Sequence, residues 1–84
     1  MRYIIDVRTR EEFEGGAVEG ALNFDLAKIM EGNIPDIPKQ GELYLYCRSG
    51  GRSGRARDIL LQHGFTNIID LGGLEDAKKY FAKI

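Results

Sequence analysis

The chain has 84 residues, 43% hydrophobic and 30% charged, which fits one small soluble domain spanning residues 1–84 and argues against disorder. Twelve basic against thirteen acidic side chains leave a net charge of −1, so no overall field favours nucleic acid, and no run of about 18 apolar residues could span a membrane. The single cysteine excludes an internal disulfide, a multi-cysteine metal site and the two-thiol chemistry of a thioredoxin-like enzyme.

Tyr3 to Val7 is a short β-branched and aromatic run, which predicts a first strand. Thr9 stands three residues before Glu12, the spacing of a capping box, and predicts a short helix that Gly15-Gly16 ends. Ala21 to Phe24 reads as a second strand, followed by Asp25 as the N-cap of a helix over Leu26 to Glu31. The segment from Gly32 to Gly41, with Pro35 and Pro38, is the longest irregular connection. Glu42 to Tyr46 is the third strand and delivers Cys47 at its carboxyl end. Helical spacing of Ala56, Ile59 and Leu60 predicts a helix from about Ser53 to His63, with Gly64 as its terminating residue. Asn67 to Leu71 is the fourth strand, and Gly72-Gly73 leads into a last helix from about Leu74 to Ala82.

Strands alternating with helices imply an α/β domain with an open parallel sheet of four to five short strands and helices on both faces. Ligands of such sheets bind just beyond the carboxyl ends of the strands. Asp6, Cys47 and the Asp70 to Gly73 segment all fall at that edge.

The segment Cys47-Arg48-Ser49-Gly50-Gly51-Arg52-Ser53 is the most informative in the chain. Gly50 and Gly51 permit the dihedrals by which backbone N–H groups can curl around the sulfur. Such a nest, at the positive end of a helix, favours the thiolate, and would equally favour a persulfide anion on the same atom. Arg48 and Arg52 flank the mouth and suit an anionic substrate with oxygen atoms. Ser53 is placed to cap the helix and offer one hydroxyl. A lone cysteine is commonly a small buried hydrophobe; its place before a Gly-rich loop with two arginines favours the nucleophile. Arg55 and Arg57 read as solvated helix surface.

His63 is the only histidine and lies at the far end of the helix that begins at this loop, some 15 Å away at about 1.5 Å per residue. The site therefore has no evident general base. A pre-ionised thiolate attacking a sulfane sulfur needs none, because the leaving group departs as a stable anion.

Four segments in order resemble the single-domain rhodanese (thiosulfate sulfurtransferase-like) family across essentially the whole length. Ile5 to Phe13 is similar to its "DVRxxxEF" opening, Val18 to Asn23 to "IxGAxN", Tyr46 to Ser53 to the "YCxxGxRS" active loop, and Asp70 to Leu74 to "xxGGxxxW". The resemblance implies a rhodanese-like fold, no cofactor and a persulfide carrier. Cys47 would take sulfur from a small anionic donor such as thiosulfate and pass it to cyanide, a thiol or a sulfur-relay protein. It also implies supporting roles for Asp6, bracing the loops, and Arg8, pairing with a nearby carboxylate. Two departures stand out: Gly16-Ala17 where the family often has Gly-His, and no tryptophan after Gly72-Gly73, where Lys78 lies nearby.

Two rivals stand beside this reading, one enzymatic and on the same fold, the other of a different class. A phosphatase or arsenate reductase on this fold has five residues between cysteine and arginine, whereas four separate Cys47 from Arg52, a tighter cradle suited to one sulfur atom. A non-catalytic protein-binding module needs no nucleophile, so the intact loop counts against it. With no signal peptide visible the cytoplasm is the expected compartment, and the periplasm is the alternative if a leader has been trimmed away.

Overall fold

A computed structural model describes residues 2–82. Strands β1 (Arg2–Asp6), β2 (Leu22–Asn23), β3 (Glu42–Cys47) and β4 (Asn67–Gly73) alternate with helices α1 (Arg10–Glu14), α2 (Leu26–Met30), α3 (Gly51–Gln62) and α4 (Leu74–Ala82). All pairings are parallel, in the order β2-β1-β3-β4. The chain turns to one side of β1 to make β2 and to the other to make β3. This reversal opens a crevice at the carboxyl ends of β1 and β3, the usual ligand position in an open α/β sheet.

Local chemistry accounts for the helix ends. The Thr9 hydroxyl accepts the Glu12 amide at 3.2 Å while the Glu12 carboxylate accepts the Thr9 amide at 3.1 Å, closing a capping box on α1. Asp25 caps α2 by accepting the Ala27 amide. At the end of α3, Gly64 takes φ +95°, its amide bonds to the Leu61 carbonyl and that of Phe65 to the Leu60 carbonyl. That is the Schellman arrangement, completed by Leu60 and Phe65 sharing the core.

Two apolar clusters cover the two faces. On one, Ile5, Val7, Leu43 and Leu45 meet Ile29 of α2, Ala56 and Leu60 of α3, and Phe65. On the other, Tyr46 meets Val18 and Ala77 of α4, with Leu74 and Phe81 packed against them. Each large side chain so buried contributes about 1.5–3 kcal/mol. Together they fix the carboxyl end of β3. None of the described helices is long and apolar enough to cross a membrane.

Several boundaries differ from the sequence reading. β1 lies one residue earlier than expected, and β2 keeps only two of four residues. β3 runs on to include Cys47, and β4 continues to Gly73. Leu45 pairs with Asp70 and Cys47 with Gly73, so two steps along β3 match three along β4. The extra residue makes a bulge, and the left-handed φ of +86° at Gly72 falls within it.

Candidate active site

Cys47 ends β3 at the carboxyl edge of the sheet and is only 1% exposed. Its Sγ accepts the Gly50 amide at 2.9 Å, and its own S–H reaches the Ser53 hydroxyl oxygen at 3.6 Å. Burial pushes the thiol up. The amides of Ser53, Gly50 and Ser49, with the Ser53 hydroxyl, outweigh it and hold the thiol below the ordinary cysteine range. The sulfur thus sits in a ring of amide dipoles over the first turn of a 12-residue helix, where negative charge is favoured.

Gly50 makes the ring possible. Its φ of +102° turns the chain back over the sulfur, a conformation other residues adopt only at a cost. Gly51, expected to share this task, does not: it is the first helical residue, has ordinary dihedrals and leaves open space where a Cβ would be. Ser53 is likewise not the cap. The helix begins two residues earlier than expected, Gly50 occupies the N-cap without a side-chain bond, and Ser53 lies buried in the first turn. There its hydroxyl donates to the Asp70 carboxylate at 2.7 Å, and the same carboxylate oxygen accepts the Gly72 amide at 3.0 Å. Asp70 therefore ties the first turn of α3 to the β4 bulge.

The arginines divide. Arg52, expected at the mouth as an anion grip, instead donates two hydrogen bonds to Glu12, at 2.7 and 3.0 Å. This pair holds the Glu12 carboxyl at about 2, with the Thr9 bonds helping and burial opposing. The Arg52 guanidinium still interacts electrostatically with Cys47. Both terminal donors point at Glu12 of α1, so the pair ties the loop to that helix. Arg48 and Ser49 are exposed.

Asp6 and Arg8 lie below the site, at the end of β1. The Arg8 guanidinium grips both Asp6 oxygens, at 2.7 to 3.1 Å, and donates to the Gly16 carbonyl at 2.7 Å. Asn23 donates to the Asp6 and Arg8 carbonyls at 3.1 and 2.9 Å, which fastens β2 to the same turn. Both charged side chains are almost fully buried, so this pair is a brace whose loss would leave an uncompensated charge. Beside it, the Tyr46 hydroxyl accepts the Val18 amide at 3.0 Å. Desolvation is the main reason its phenol is pushed up to about 12.

His63 caps the far end of α3, about 18 Å along the axis at 1.5 Å per residue. It takes no part in the site. An open cleft of about 440 Å³ adjoins the loop, lined by Arg8, Glu12, Arg48, Leu74, Glu75 and Lys78 together with the Gly15-Gly16 turn.

Three contributions escaped the sequence reading. Glu12 lies 40 positions from Arg52, and its capping role masked its second task. Asp70 was placed at the correct edge without a partner. Gly73 was read as a helix lead-in, yet a Cβ there would stand 2.6 Å from the Arg48 carbonyl oxygen. Only glycine lets the loop lie this close to β4, and its pairing with Cys47 was the signal that strand topology could have supplied.

Residues 1–79 match the rhodanese-like domain family. The chain is 37% identical over 73 residues to the thiosulfate sulfurtransferase PspE of Escherichia coli, covering 86% of this chain and 70% of that protein. It is 41% identical over 81 residues to the uncharacterized protein YqhL of Bacillus subtilis, covering 96% of this chain and 62% of that one. Among solved structures, a rhodanese with anions from E. coli superposes with a TM-score of 0.77 at 34% identity, covering 90% of this chain and 91% of the other. The chain belongs to the rhodanese-like domain family, and its relatives include named sulfurtransferases.

Proposed function

We propose that this protein is a sulfurtransferase that carries a sulfane sulfur as a persulfide on Cys47. The observation that carries the reading is the amide ring around Sγ, with the Gly50 N–H at 2.9 Å and the thiol held below its ordinary range. The thiolate attacks the outer sulfur of a donor such as thiosulfate. The bond to the sulfonate sulfur breaks, and sulfite leaves with the electron pair. The new persulfide anion bears the same charge as the thiolate it replaces, so the same dipoles stabilise it without rearrangement. Cyanide or a thiol, free or on a sulfur-relay partner, then attacks the terminal sulfur, and the Cys47 thiolate departs.

No step requires a proton carrier at the sulfur, consistent with a histidine at the opposite end of α3. Phosphoryl transfer fits less well. The loop arginine that would face a phosphoryl group is engaged by Glu12, and the ring closes around one atom. Asp6 and Arg8 serve as braces, and the backbone of Ser49 and Gly50, with that of Ser53, forms the ring.

Intact-mass spectrometry after mixing with thiosulfate tests the proposal. The expected result is a gain of about 32 Da that cyanide reverses, absent in Cys47→Ser, because persulfide formation needs the ionised thiol. Wild-type thiosulfate:cyanide turnover by Cys47→Ser would overturn it.

A further inference from the structure

Five charged side chains border the cleft of about 440 Å³ beside the loop: Arg8, Glu12, Arg48, Glu75 and Lys78. Two already have tasks within the fold. Arg8 is committed to Asp6, and Glu12 to Arg52 outside the cleft lining. Arg48 and Lys78 are exposed and make no ion pair among the described residues, and neither does Glu75. The cleft therefore offers two uncommitted cations against one uncommitted carboxylate. It also touches both flanks of the catalytic loop. Arg48 follows the nucleophile directly, while Glu12 holds Arg52 at the other flank.

We propose that Lys78, in the second turn of α4, determines donor specificity by binding, together with Arg48, the anionic end of the sulfur donor. This assignment rests on the sulfur-transfer reading above and moves the task expected of Arg52 to a residue on a different element. The chemistry suits it. A donor such as thiosulfate brings sulfonate oxygens with their charge to the mouth, and its sulfane sulfur must point at Sγ. Two cations bordering one cleft, one from the loop and one from α4, would orient the oxygens outward and the sulfur inward. The cleft is also several times larger than thiosulfate needs. An anionic donor with an organic substituent would fit the same pair of cations.

Because Cys47 is the only cysteine, alkylation reads its surroundings without relying on turnover. Iodoacetate and iodoacetamide share a leaving group and differ chiefly in charge, so the ratio of their rates reports the cationic field at the mouth. In wild type the ratio should exceed that of a free small thiol. Lys78→Gln should lower it roughly fivefold and raise the KM for thiosulfate by a similar factor, with kcat within about twofold, as expected for loss of one partly solvated charge contact. The iodoacetamide rate should not change. Lys79→Gln, an exposed lysine outside the cleft, should leave both measurements at wild-type values. An unaltered ratio and KM in Lys78→Gln overturn the assignment, as does an equal effect from Lys79→Gln. Failure of the wild type to gain sulfur would instead remove the transfer reading, a result distinguishable from either.

Discussion

Gly50-Gly51 and Gly72-Gly73 look alike in the sequence, each a glycine pair opening a helix. In both, the first glycine is left-handed, with φ +102° and +86°. The two loops also touch, because a Cβ on Gly50 would lie 3.7 Å from the Gly72 Cα. The second glycines differ completely. Gly51 has open space around it, whereas Gly73 lies against the Arg48 carbonyl. In the first pair Gly50 alone turns the amides over the sulfur, and the second pair forms the floor that lets the curl sit at the strand ends. Glycine is needed for conformation at the first place of each pair, and for closeness at the second place of only one.

Gly73→Ala should break this arrangement most severely. A Cβ 2.6 Å from a backbone oxygen forces the loop or β4 to move, costing about 1–3 kcal/mol of stability. Because the displaced atoms belong to Arg48, next to Cys47, sulfur transfer on the proposed reading should fall at least about 100-fold, as small misplacements of reacting groups do. Steady-state turnover and a denaturant midpoint check both, and turnover within threefold of wild type would refute the floor role.

Glu12→Gln sharpens the comparison by releasing the far side of the first loop. The ion pair is a quarter to a third exposed, so stability should drop by only about 1 kcal/mol, less at high salt. Its pH dependence has a definite sign. The Glu12 carboxyl is depressed from 4.5 to about 2, so its contribution is complete above pH 4.5 and is lost as pH falls toward 2. Denaturation at pH 6 and pH 3 should show the variant's deficit shrinking at the lower value. A deficit that stays constant or grows would exclude the ion pair as its origin.

The smallest effect belongs to Gly51→Ala. The residue is helical and uncrowded, so alanine should be neutral or stabilise by up to about 1 kcal/mol through the unfolded chain, with activity within about twofold. A large loss there would mean that Gly51 shapes the amide ring after all.

What could be read from the chain follows the range of the interactions. The capping box of Thr9 and Glu12, the Asp25 cap and the Gly64 terminator act within a few residues, and each is present in the structure. The parallel α/β order was legible because strand and helix runs alternate cleanly. The start of α3 was not: glycines at 50 and 51 weaken helix propensity, while burial of Ser53 beside Asp70 draws the helix back to them. The Arg52–Glu12 pair was not legible, because charge beside a cysteine suggests a substrate and nothing local names a carboxylate 40 positions away. The extension of β4 through two glycines runs against strand preference and depends on tertiary contact with the loop.

The register that sets Cys47 beside Gly73 also has a bearing on biosynthesis. During translation the thiol leaves the ribosome well before the strand on which its loop rests. A nascent chain that ends ahead of residue 67 owns the reactive atom but lacks Asp70, Gly72 and Gly73. The amide ring can lock only when the last strand docks, a long-range event that comes late in synthesis. The environment of the sulfur is thereby complete only in a finished sheet.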